Sequence, residues 1–244
     1  MMDIEGRVAL VTGGGRRVGR ALALGLARAG ASVFIHYNTS ADAAESVKVE
    51  VEAMGASAAV GSVDLSDPTQ TPRLVDMAAG ALGEVSILVN SASGFATDSL
   101  PDVTLEGWRR SHDVTLASPV FLTQAFAAAL GDRSHGAVLN VTDARTMHPY
   151  KTHFSYVLAK GGVDTFTRAA ALALAPMIRV NAVALGVILP PPGEEAGYVE
   201  TLAESLPLRR VGGTDPVVEA GLSLIRNDFV TGEIVRLDGG AHLV

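Results

Sequence analysis

Short β-branched segments alternate with longer Ala- and Leu-rich segments along the chain, and this alternation restricts the fold more than any other feature. Such alternation is typical of βαβ units, which build a parallel sheet covered by helices on both faces. Strands are predicted near residues 8–12, 32–36, 58–63, 87–90, 137–141, 180–183 and 233–237. Helices are predicted near residues 18–29, 41–54, 68–82, 105–130, 153–175 and 215–225. We therefore expect a doubly wound α/β fold with a seven-stranded parallel sheet.

The pattern runs through residues 1–244 without a repeat, a low-complexity segment or a Ser/Gly-rich linker, so we interpret the chain as a single domain. With 48% hydrophobic residues, a chain of 244 residues can bury a sizeable core. The stretch 188–205, "ILPPPGEEAGYVETLAES", is predicted as a loop followed by a short helix. Its position after the sixth strand suggests an insertion that contacts the substrate.

Charge and composition exclude several classes of function. The net charge of −7 argues against nucleic acid and membrane surfaces as partners, because both are bound through clustered Lys and Arg. The chain has no cysteine, which removes disulfides and thiolate chemistry, and its six histidines lack metal-site spacing, so no metal is expected. The first residues lack the pattern of a signal peptide, and the uncharged run 114–131 contains Ser118 and Pro119. We expect a cytoplasmic protein that acts on a small molecule.

The segment "TGGGRRVG" joins the first predicted strand to the first helix. Free N–H groups at the start of a helix and the helix dipole together bind anions, and glycines let the anion approach closely. The strict G-x-G-x-x-G pattern is not met: the last glycine of the segment, Gly19, lies six residues after Gly13 instead of five, and Arg17 stands two residues before it. We predict a Rossmann-type dinucleotide site with Gly13, Arg16, Arg17 and Val18 at the phosphates; the alternative is a tight turn without a ligand.

The end of the second strand favours NADPH over NADH. A site for NAD carries an acid about twenty residues after the glycine turn, where it holds the ribose 2′-hydroxyl. Here no acid occurs between Phe34 and Ser40. Arg16 offers a charged fork to the 2′-phosphate, and Asn38, Thr39 and Ser40 offer hydrogen bonds. The alternative for Arg16 is a solvated surface side chain. Asp64, after the third strand, is predicted either to accept from the adenine amine or to cap the following turn.

Tyr156 and Lys160 lie four residues apart on the predicted sixth helix and therefore share one face. A phenol with a pKa near 10 is a weak acid–base group at neutral pH unless a cation stabilises its phenolate. The pair begins the helix after the fifth strand, at the carboxyl edge where open α/β sheets bind ligands. This position makes Tyr156 and Lys160 candidate catalytic residues.

Four segments, "TGGGRRVG", "VNSAS", "YVLAK" and "LDGG", together resemble the short-chain dehydrogenase/reductase family over essentially the whole chain. The resemblance implies that Tyr156 exchanges the proton and that Lys160 binds the nicotinamide ribose and lowers the tyrosine pKa. It also places Asn90 beside the adenosine ribose and backbone groups of Val187 or Ile188 at the nicotinamide amide. The further cofactor contacts it implies are Leu65, Ser91, Ala92 and Gly186.

A narrower resemblance is to the pteridine reductases. Most members of the family carry Ser thirteen residues before the catalytic Tyr, whereas this chain carries Asp143, as pteridine reductases do. A carboxylate repels a developing alkoxide, so a simple ketone reductase fits poorly. Arg17, the "HY" of the second strand, and Ser93 with Phe95 also match. The resemblance implies a substrate site of Arg17, Ser93, Phe95, Asp143 and Tyr156.

These residues suit a pterin, which would stack between the nicotinamide and Phe95 with Arg17 shared between a cofactor phosphate and the pterin edge. The reducible bond is C=N, so Tyr156 with Asp143 would supply the proton to nitrogen. Phe95 taken alone is also explained as a core residue, and Asp143 as a turn cap. Three positions depart from the family: Thr115 replaces the usual Asn, Leu185 the Pro of the usual Pro-Gly, and Pro190 a Thr near the nicotinamide.

Three functions remain open from the sequence. The first is NADPH-dependent reduction of a dihydropteridine, such as dihydromonapterin, dihydrobiopterin or dihydrofolate, to its tetrahydro form. The second is reduction of a carbonyl such as a 3-oxoacyl thioester, and the third is a non-catalytic NADPH-binding protein. Apolar helical faces near 116–130 and 166–174 suit the interfaces of a homotetramer, as is common in the family, although a buried core helix gives the same pattern.

Overall fold

The computed structural model describes residues 1–131, 134–191 and 196–244. The strands in these residues are β1 (Val8–Val11), β2 (Ser32–Tyr37), β3 (Ala58–Ser62), β4 (Val85–Asn90), β5 (Gly136–Asp143), β6 (Ile178–Leu185) and β7 (Ile234–Leu237). They form one sheet in the order β3-β2-β1-β4-β5-β6-β7, and every neighbouring pair is parallel. This is the predicted seven-stranded, doubly wound Rossmann-type sheet.

The helices are α1 (Arg17–Arg28), α2 (Ala41–Ala53), α3 (Arg73–Leu82), α4 (Leu105–His112), α5 (Ser118–Leu130), α6 (Phe154–Leu174), α7 (Ala196–Glu204) and α8 (Asp215–Arg226). The predicted helix 68–82 is divided into a 3₁₀ turn at Pro68–Gln70 and α3. The predicted helix 105–130 is continuous but contains a π-helical turn at Asp113–Ala117 between α4 and α5. The predicted loop and helix at 188–205 contain α7, while residues 192–195 lie outside the described part of the chain.

Two hydrophobic cores lie on opposite faces of the sheet. Helices α1, α2 and α8 pack on one face, as shown by the buried side chains of Leu22, Val47 and Val217. Helices α3, α5 and α6 pack on the other face, with Phe126 and Leu74 among its fully buried residues. Strands β4 and β5 are buried along their whole length, which explains their nearly continuous apolar sequences.

The stretch Leu105–Leu130 is long and apolar enough to cross a membrane by length and composition. In the domain, Leu122, Phe126 and Leu130 on this stretch are fully buried in the core beneath the sheet. The stretch therefore has the packing of a core helix of the α/β domain.

The strand order reverses at β1, which pairs with β2 on one side and with β4 on the other. At such a point the connections leave towards opposite faces, and a crevice opens beyond the carboxyl ends of the strands. The glycine turn after β1 and the loop after β4 border this crevice, and β5 and α6 supply its other end. Strand β5 is longer than predicted and ends at Asp143, so that residue is carried by the sheet itself.

Candidate active site

The turn after β1 has a shape that only glycine accommodates at two positions. Gly13 has a φ of +63°, in the left-handed region. A Cβ on Gly19 would lie 2.2 Å from the carbonyl oxygen of Gly13, so any side chain there would displace the turn. A Cβ on Gly13 would meet the Cα of Ala92 at 3.1 Å. The backbone of the turn therefore packs directly against the loop after β4.

His36, on β2, supports the same turn from below. Its Nδ1 accepts from the N–H of Gly13 at 3.2 Å, and its carbonyl oxygen accepts from the N–H of Gly14 at 3.0 Å. The Nε2–H consequently donates to the carbonyl of Val63 at 2.9 Å. Burial lowers the pKa of His36, which favours this neutral tautomer. The sequence marks His36 only as part of the "HY" pair, and its supporting role was not predicted.

The two arginines of the turn are both exposed, at the start of α1. Arg17 has a φ of 53°, unusual for a residue other than glycine, and its guanidinium donates to the carbonyl of Pro190 at 2.6 Å. Val18 packs against the core of the α1 face. The first turn of α1 carries no acidic side chain, so its positive end and both guanidinium groups are available to an anion.

At the ends of β2 and β3, Asn38 and Asp64 meet. The Asn38 amide donates to Asp64 Oδ1 at 3.3 Å, and the N–H of Ser66 donates to the same oxygen at 2.9 Å. The hydrogen bonds from Ser66 lower the pKa of Asp64 and keep it ionised. Asp64 thus caps the turn, one of its two predicted roles. Thr39 is exposed and Ser40 half-buried beside Asn38.

The loop after β4 is held by Thr12, whose Oγ1 accepts from the N–H groups of Ser91 and Ala92 at 3.0 and 3.1 Å. The side chain of Asn90 turns inward instead, where its amide donates to Asn140 Oδ1 at 2.9 Å. Its own Oδ1 is buried and lacks a hydrogen-bond partner among the described residues. Any contact of Asn90 with a ribose at the sheet edge would therefore use its backbone. Leu65, also predicted at the cofactor, is buried, and its carbonyl oxygen accepts from the hydroxyl of Ser118 at 2.7 Å.

The three predicted catalytic residues come together at the carboxyl end of β5. The hydroxyl of Tyr156 donates to Asp143 Oδ2 at 2.8 Å, and both side chains are buried. The other carboxylate oxygen of Asp143 accepts from the N–H of Arg145 at 2.7 Å and caps the 3₁₀ turn Ala144–Thr146. Asp143 therefore caps the turn and at the same time contacts Tyr156. Lys160 donates to the carbonyl of Val141 at 2.6 Å and lies 5.7 Å from the centre of the Tyr156 ring.

Burial and charge shift the pKa values of this group. Burial, and then the charge of Asp143, raise the pKa of Tyr156 well above its usual value. Tyr156 is therefore a phenol at neutral pH and has a proton to donate, so the expectation that Lys160 lowers the tyrosine pKa is not met. Burial lowers the pKa of Lys160 to about 8, although Asp143 and Asp164 act in the opposite direction. Burial and the charge of Asp143 also raise the pKa of Tyr150.

Aromatic rings lie beside the Tyr156 side chain. Phe95 contacts Tyr156 edge-to-face with ring centres 4.8 Å apart, and stacks on His153 at 3.8 Å and an interplanar angle of 16°. Phe95 is 41% exposed, so it is not a core residue. Tyr150 lies 6.1 Å from Phe95, and the guanidinium of Arg145 lies 5.0 Å above the Tyr150 ring. His153 and Tyr150 were not predicted; His153 reaches Phe95 through a left-handed backbone, φ 60°, which no sequence pattern indicates.

The sequence of this chain is similar to those of known oxidoreductases. A family model described as "Enoyl-(Acyl carrier protein) reductase" matches residues 14–242. An uncharacterized oxidoreductase of Methylorubrum extorquens is 32% identical, with 99% of this chain and 100% of the relative covered. The chain belongs to the short-chain dehydrogenase/reductase family.

Two further members of this family are informative. One is FolM alternative dihydrofolate reductase 1 from Brucella suis, whose crystal structure is in complex with NADP. Its sequence is 35% identical to this chain, and its structure superposes with a TM-score of 0.94 over 100% of this chain and 97% of that chain. A 3-oxoacyl-[acyl-carrier-protein] reductase of Synechocystis is 29% identical, with 98% of both chains covered. Relatives of this short-chain dehydrogenase/reductase are thus named for different substrates.

Two segments that contain departures from the family pattern, the one around Thr115 and the one after β6, can now be located in this short-chain dehydrogenase/reductase. Thr115 lies in the π-helical turn, is buried, and is hydrogen-bonded to the hydroxyl of Ser93 at 3.2 Å. It therefore anchors the loop that carries Phe95. After β6, a Cβ on Gly186 would lie 2.7 Å from the Cα of Asp238, so glycine is required there. The carbonyl oxygens of Val187 and Ile188 accept from the N–H groups of Gly212 and Gly213, at 2.8 and 3.2 Å.

No group of three or more His, Asp or Glu residues within the described ranges is arranged to hold a metal ion. The structure gathers Asp143, Tyr156, Lys160 and Phe95 at one end of the crevice. The glycine turn, Asp64 with Asn38, and the start of the loop after β4 at Ser91 and Ala92 lie at the other end, where β1 meets β2 and β4.

Proposed function

We propose that this short-chain dehydrogenase/reductase uses NADPH to reduce a dihydropteridine, such as dihydromonapterin, dihydrobiopterin or dihydrofolate, to its tetrahydro form. The observation that supports this most is the hydrogen bond of the Tyr156 hydroxyl to the Asp143 carboxylate. A carboxylate disfavours a substrate whose oxygen becomes negative and favours one that gains a proton on nitrogen. The 35% identity to FolM alternative dihydrofolate reductase 1 supports the same substrate class.

The residues near the glycine turn fit a dinucleotide phosphate. The glycine backbone leaves no room for a Cβ, the start of α1 is positively polarised, and Arg16 and Arg17 are exposed beside it. Val18, Ser91, Ala92, Leu65 and Gly186 are the further cofactor contacts of this proposal. Arg16 with Asn38, Thr39 and Ser40 would hold the 2′-phosphate, Asp64 and the backbone of Asn90 would contact the adenosine, and backbone groups of Val187 or Ile188 would hold the nicotinamide amide. When bound, NADPH supplies the hydride.

The side chains at the other end supply the proton and the binding surface. Tyr156 is protonated at neutral pH and would donate its proton to the ring nitrogen while hydride is delivered to the adjacent carbon, so that the C=N bond becomes CH–NH. Lys160, when charged, stabilises the phenolate that remains. Asp143 orients the hydroxyl of Tyr156 and favours a ring that becomes cationic. Phe95, which is partly exposed beside Tyr156, would stack on the pterin ring.

Arg17 and Ser93 complete the proposed substrate site. The guanidinium of Arg17 is already directed across the crevice to Pro190, so it lies between the phosphate end and the loop after β6. In this position it would contact both a cofactor phosphate and the polar edge of a pterin. Ser93 is held near the crevice by Thr115.

A second candidate is reduction of a 3-oxoacyl thioester. The 29% identity to a 3-oxoacyl-[acyl-carrier-protein] reductase favours it, and Asp143 in place of Ser opposes it. We further propose a cytoplasmic homotetramer, in which the exposed apolar side chains of Phe121 on α5 and Leu158 and Leu172 on α6 would be covered by other subunits.

The decisive experiment measures NADPH consumption by the purified protein with dihydrobiopterin, dihydrofolate and an acetoacetyl thioester under the same conditions. We expect a higher kcat/KM for a dihydropteridine. Faster turnover of the thioester would replace the first function with the second.

A further inference from the structure

Asp164 is a carboxylate of α6 that the proposed chemistry leaves unused. It lies four residues after Lys160 and eight after Tyr156, so the three side chains follow one face of the helix. It is half-buried. The hydrogen bonds of its carboxylate show what holds it on the same helix face as the buried Lys160.

Both carboxylate oxygens of Asp164 are used by threonines that flank Asp143. The hydroxyl of Thr142 donates to Oδ1 at 2.6 Å, and the hydroxyl of Thr146 donates to Oδ2 at 2.7 Å. Thr142 is buried and also lies 3.3 Å from the carbonyl oxygen of Lys160. These short bonds to a carboxylate are of the strong, charge-assisted kind.

The two threonines belong to the segment whose position decides the distance between Asp143 and Tyr156. Thr142 immediately precedes Asp143, and Thr146 ends the 3₁₀ turn that Asp143 caps. Asp164 therefore ties the end of β5 and the following turn to the helix that carries Tyr156 and Lys160.

Asp164 also places negative charge near a lysine that has little access to solvent. The charged groups acting on Lys160 are Asp143 from β5 and Asp164 from α6, and the phenol of Tyr156 faces it as well; Tyr150 in turn faces Asp143. The charge of Asp164 raises the pKa of Lys160 and opposes the effect of burial.

We propose that Asp164 is a positioning residue of this active site, which fixes Asp143 against Tyr156 through Thr142 and Thr146 and places a negative charge one helical turn from Lys160. This proposal rests on the catalytic roles given above to Tyr156 and Lys160, and not on the identity of the substrate.

The test compares Asp164→Asn with Thr146→Val. Asn has the shape of Asp but no charge, whereas Thr146→Val keeps the charge and removes one of the two bonds. For D164N we expect a lower kcat, a nearly unchanged KM for the substrate, and an alkaline limb of the kcat profile displaced to lower pH by roughly half a unit to one unit. For T146V we expect a lower kcat and no displacement. Misplacement of a reacting group by about 1 Å is sufficient for a loss of rate on the order of 100-fold, which gives the scale of the expected fall in kcat.

The NADPH Kd, measured by fluorescence against pH, gives a readout that does not depend on turnover. As the pH is raised, the Kd of D164N should increase at a lower pH than the Kd of the wild type, because Lys160 loses its proton at a lower pH in D164N. Identical kcat and identical pH profiles in D164N and the wild type would overturn the proposal, and so would an equal displacement in T146V. If D164N folds poorly, Thr142→Val and T146V must each lower kcat, and unchanged rates would overturn it.

The assay uses dihydrobiopterin, and an acetoacetyl thioester if the wild type reduces only the latter. That outcome would refute the proposed function but not the role of Asp164, because the ratios of variant to wild type are taken on one substrate.

Discussion

Replacing Asp143 by serine removes the carboxylate on which the choice of substrate depends. In the structure this side chain accepts from the Tyr156 hydroxyl at 2.8 Å and from the N–H of Arg145 at 2.7 Å. A hydrogen bond to a charged group contributes about 1.5–3 kcal/mol. If the bond from Tyr156 orients the proton only in the transition state, its loss lowers kcat/KM for a dihydropteridine by about 10- to 150-fold.

For a carbonyl substrate, the same substitution should change the rate of reduction in the opposite direction. Serine places a hydrogen-bond donor where a developing oxyanion would lie, and the carboxylate that repels it is gone. We therefore expect Asp143→Ser to increase the reduction of an acetoacetyl thioester while it impairs that of dihydrobiopterin. Both rates follow from the fall in NADPH absorbance, measured on the same preparation.

Asp143→Asn is the matched control, because it keeps the shape of Asp143 and its amide oxygen can still accept from the N–H of Arg145, whereas its NH2 group can only donate to the Tyr156 oxygen and the charge is lost. Its loss of pteridine reduction should be smaller than that of Asp143→Ser, and its melting temperature closer to that of the wild type, since the cap of the 3₁₀ turn remains. A wild-type rate of pteridine reduction in Asp143→Ser would refute the reasoning and show that the acid is incidental.

Further predictions concern the other residues of the site. Tyr156→Phe should abolish turnover while NADPH, followed by its fluorescence, still binds; an undiminished rate would remove Tyr156 from the proton path. Lys160 has a pKa of about 8 and assists only when protonated, so kcat should be constant at neutral pH and fall as the pH rises through about 8; a rate that rises there would contradict this sign. Phe95→Ala should raise KM for the pteridine by about 2- to 13-fold, from the loss of roughly 0.5–1.5 kcal/mol of stacking, with Phe95→Tyr as the control that retains the ring; equal KM values in both variants would exclude stacking. Gly19→Ala should weaken NADPH binding, because its Cβ would lie 2.2 Å from the Gly13 carbonyl oxygen, and an unchanged Kd would show that the turn tolerates a side chain.

The order of strands and helices was predictable because it follows from local patterns. Alternating β-branched and Ala/Leu-rich segments place each element within a few residues of its observed position, as in α2, predicted at 41–54 and observed at Ala41–Ala53. The predicted ends of elements were wrong where pairing with a neighbouring strand determines where a strand ends. Strand β5 continues to Asp143 because β6 pairs with it as far as Leu185. The π-helical turn around Thr115 has no sequence signal, because a single widened turn leaves the apolar pattern almost unchanged.

The sequence by itself determined that Tyr156 and Lys160 share a face of one helix, because a spacing of four residues is a property of the helix alone. It also determined the glycine turn, where steric exclusion at single residues sets the conformation. Only the tertiary structure decided that Asp143 meets Tyr156, that Thr142 and Thr146 meet Asp164, and that His153 stacks on Phe95. Those contacts join β5, α6 and the loop after β4, and their geometry depends on how the packed sheet and helices bring separate segments to one edge.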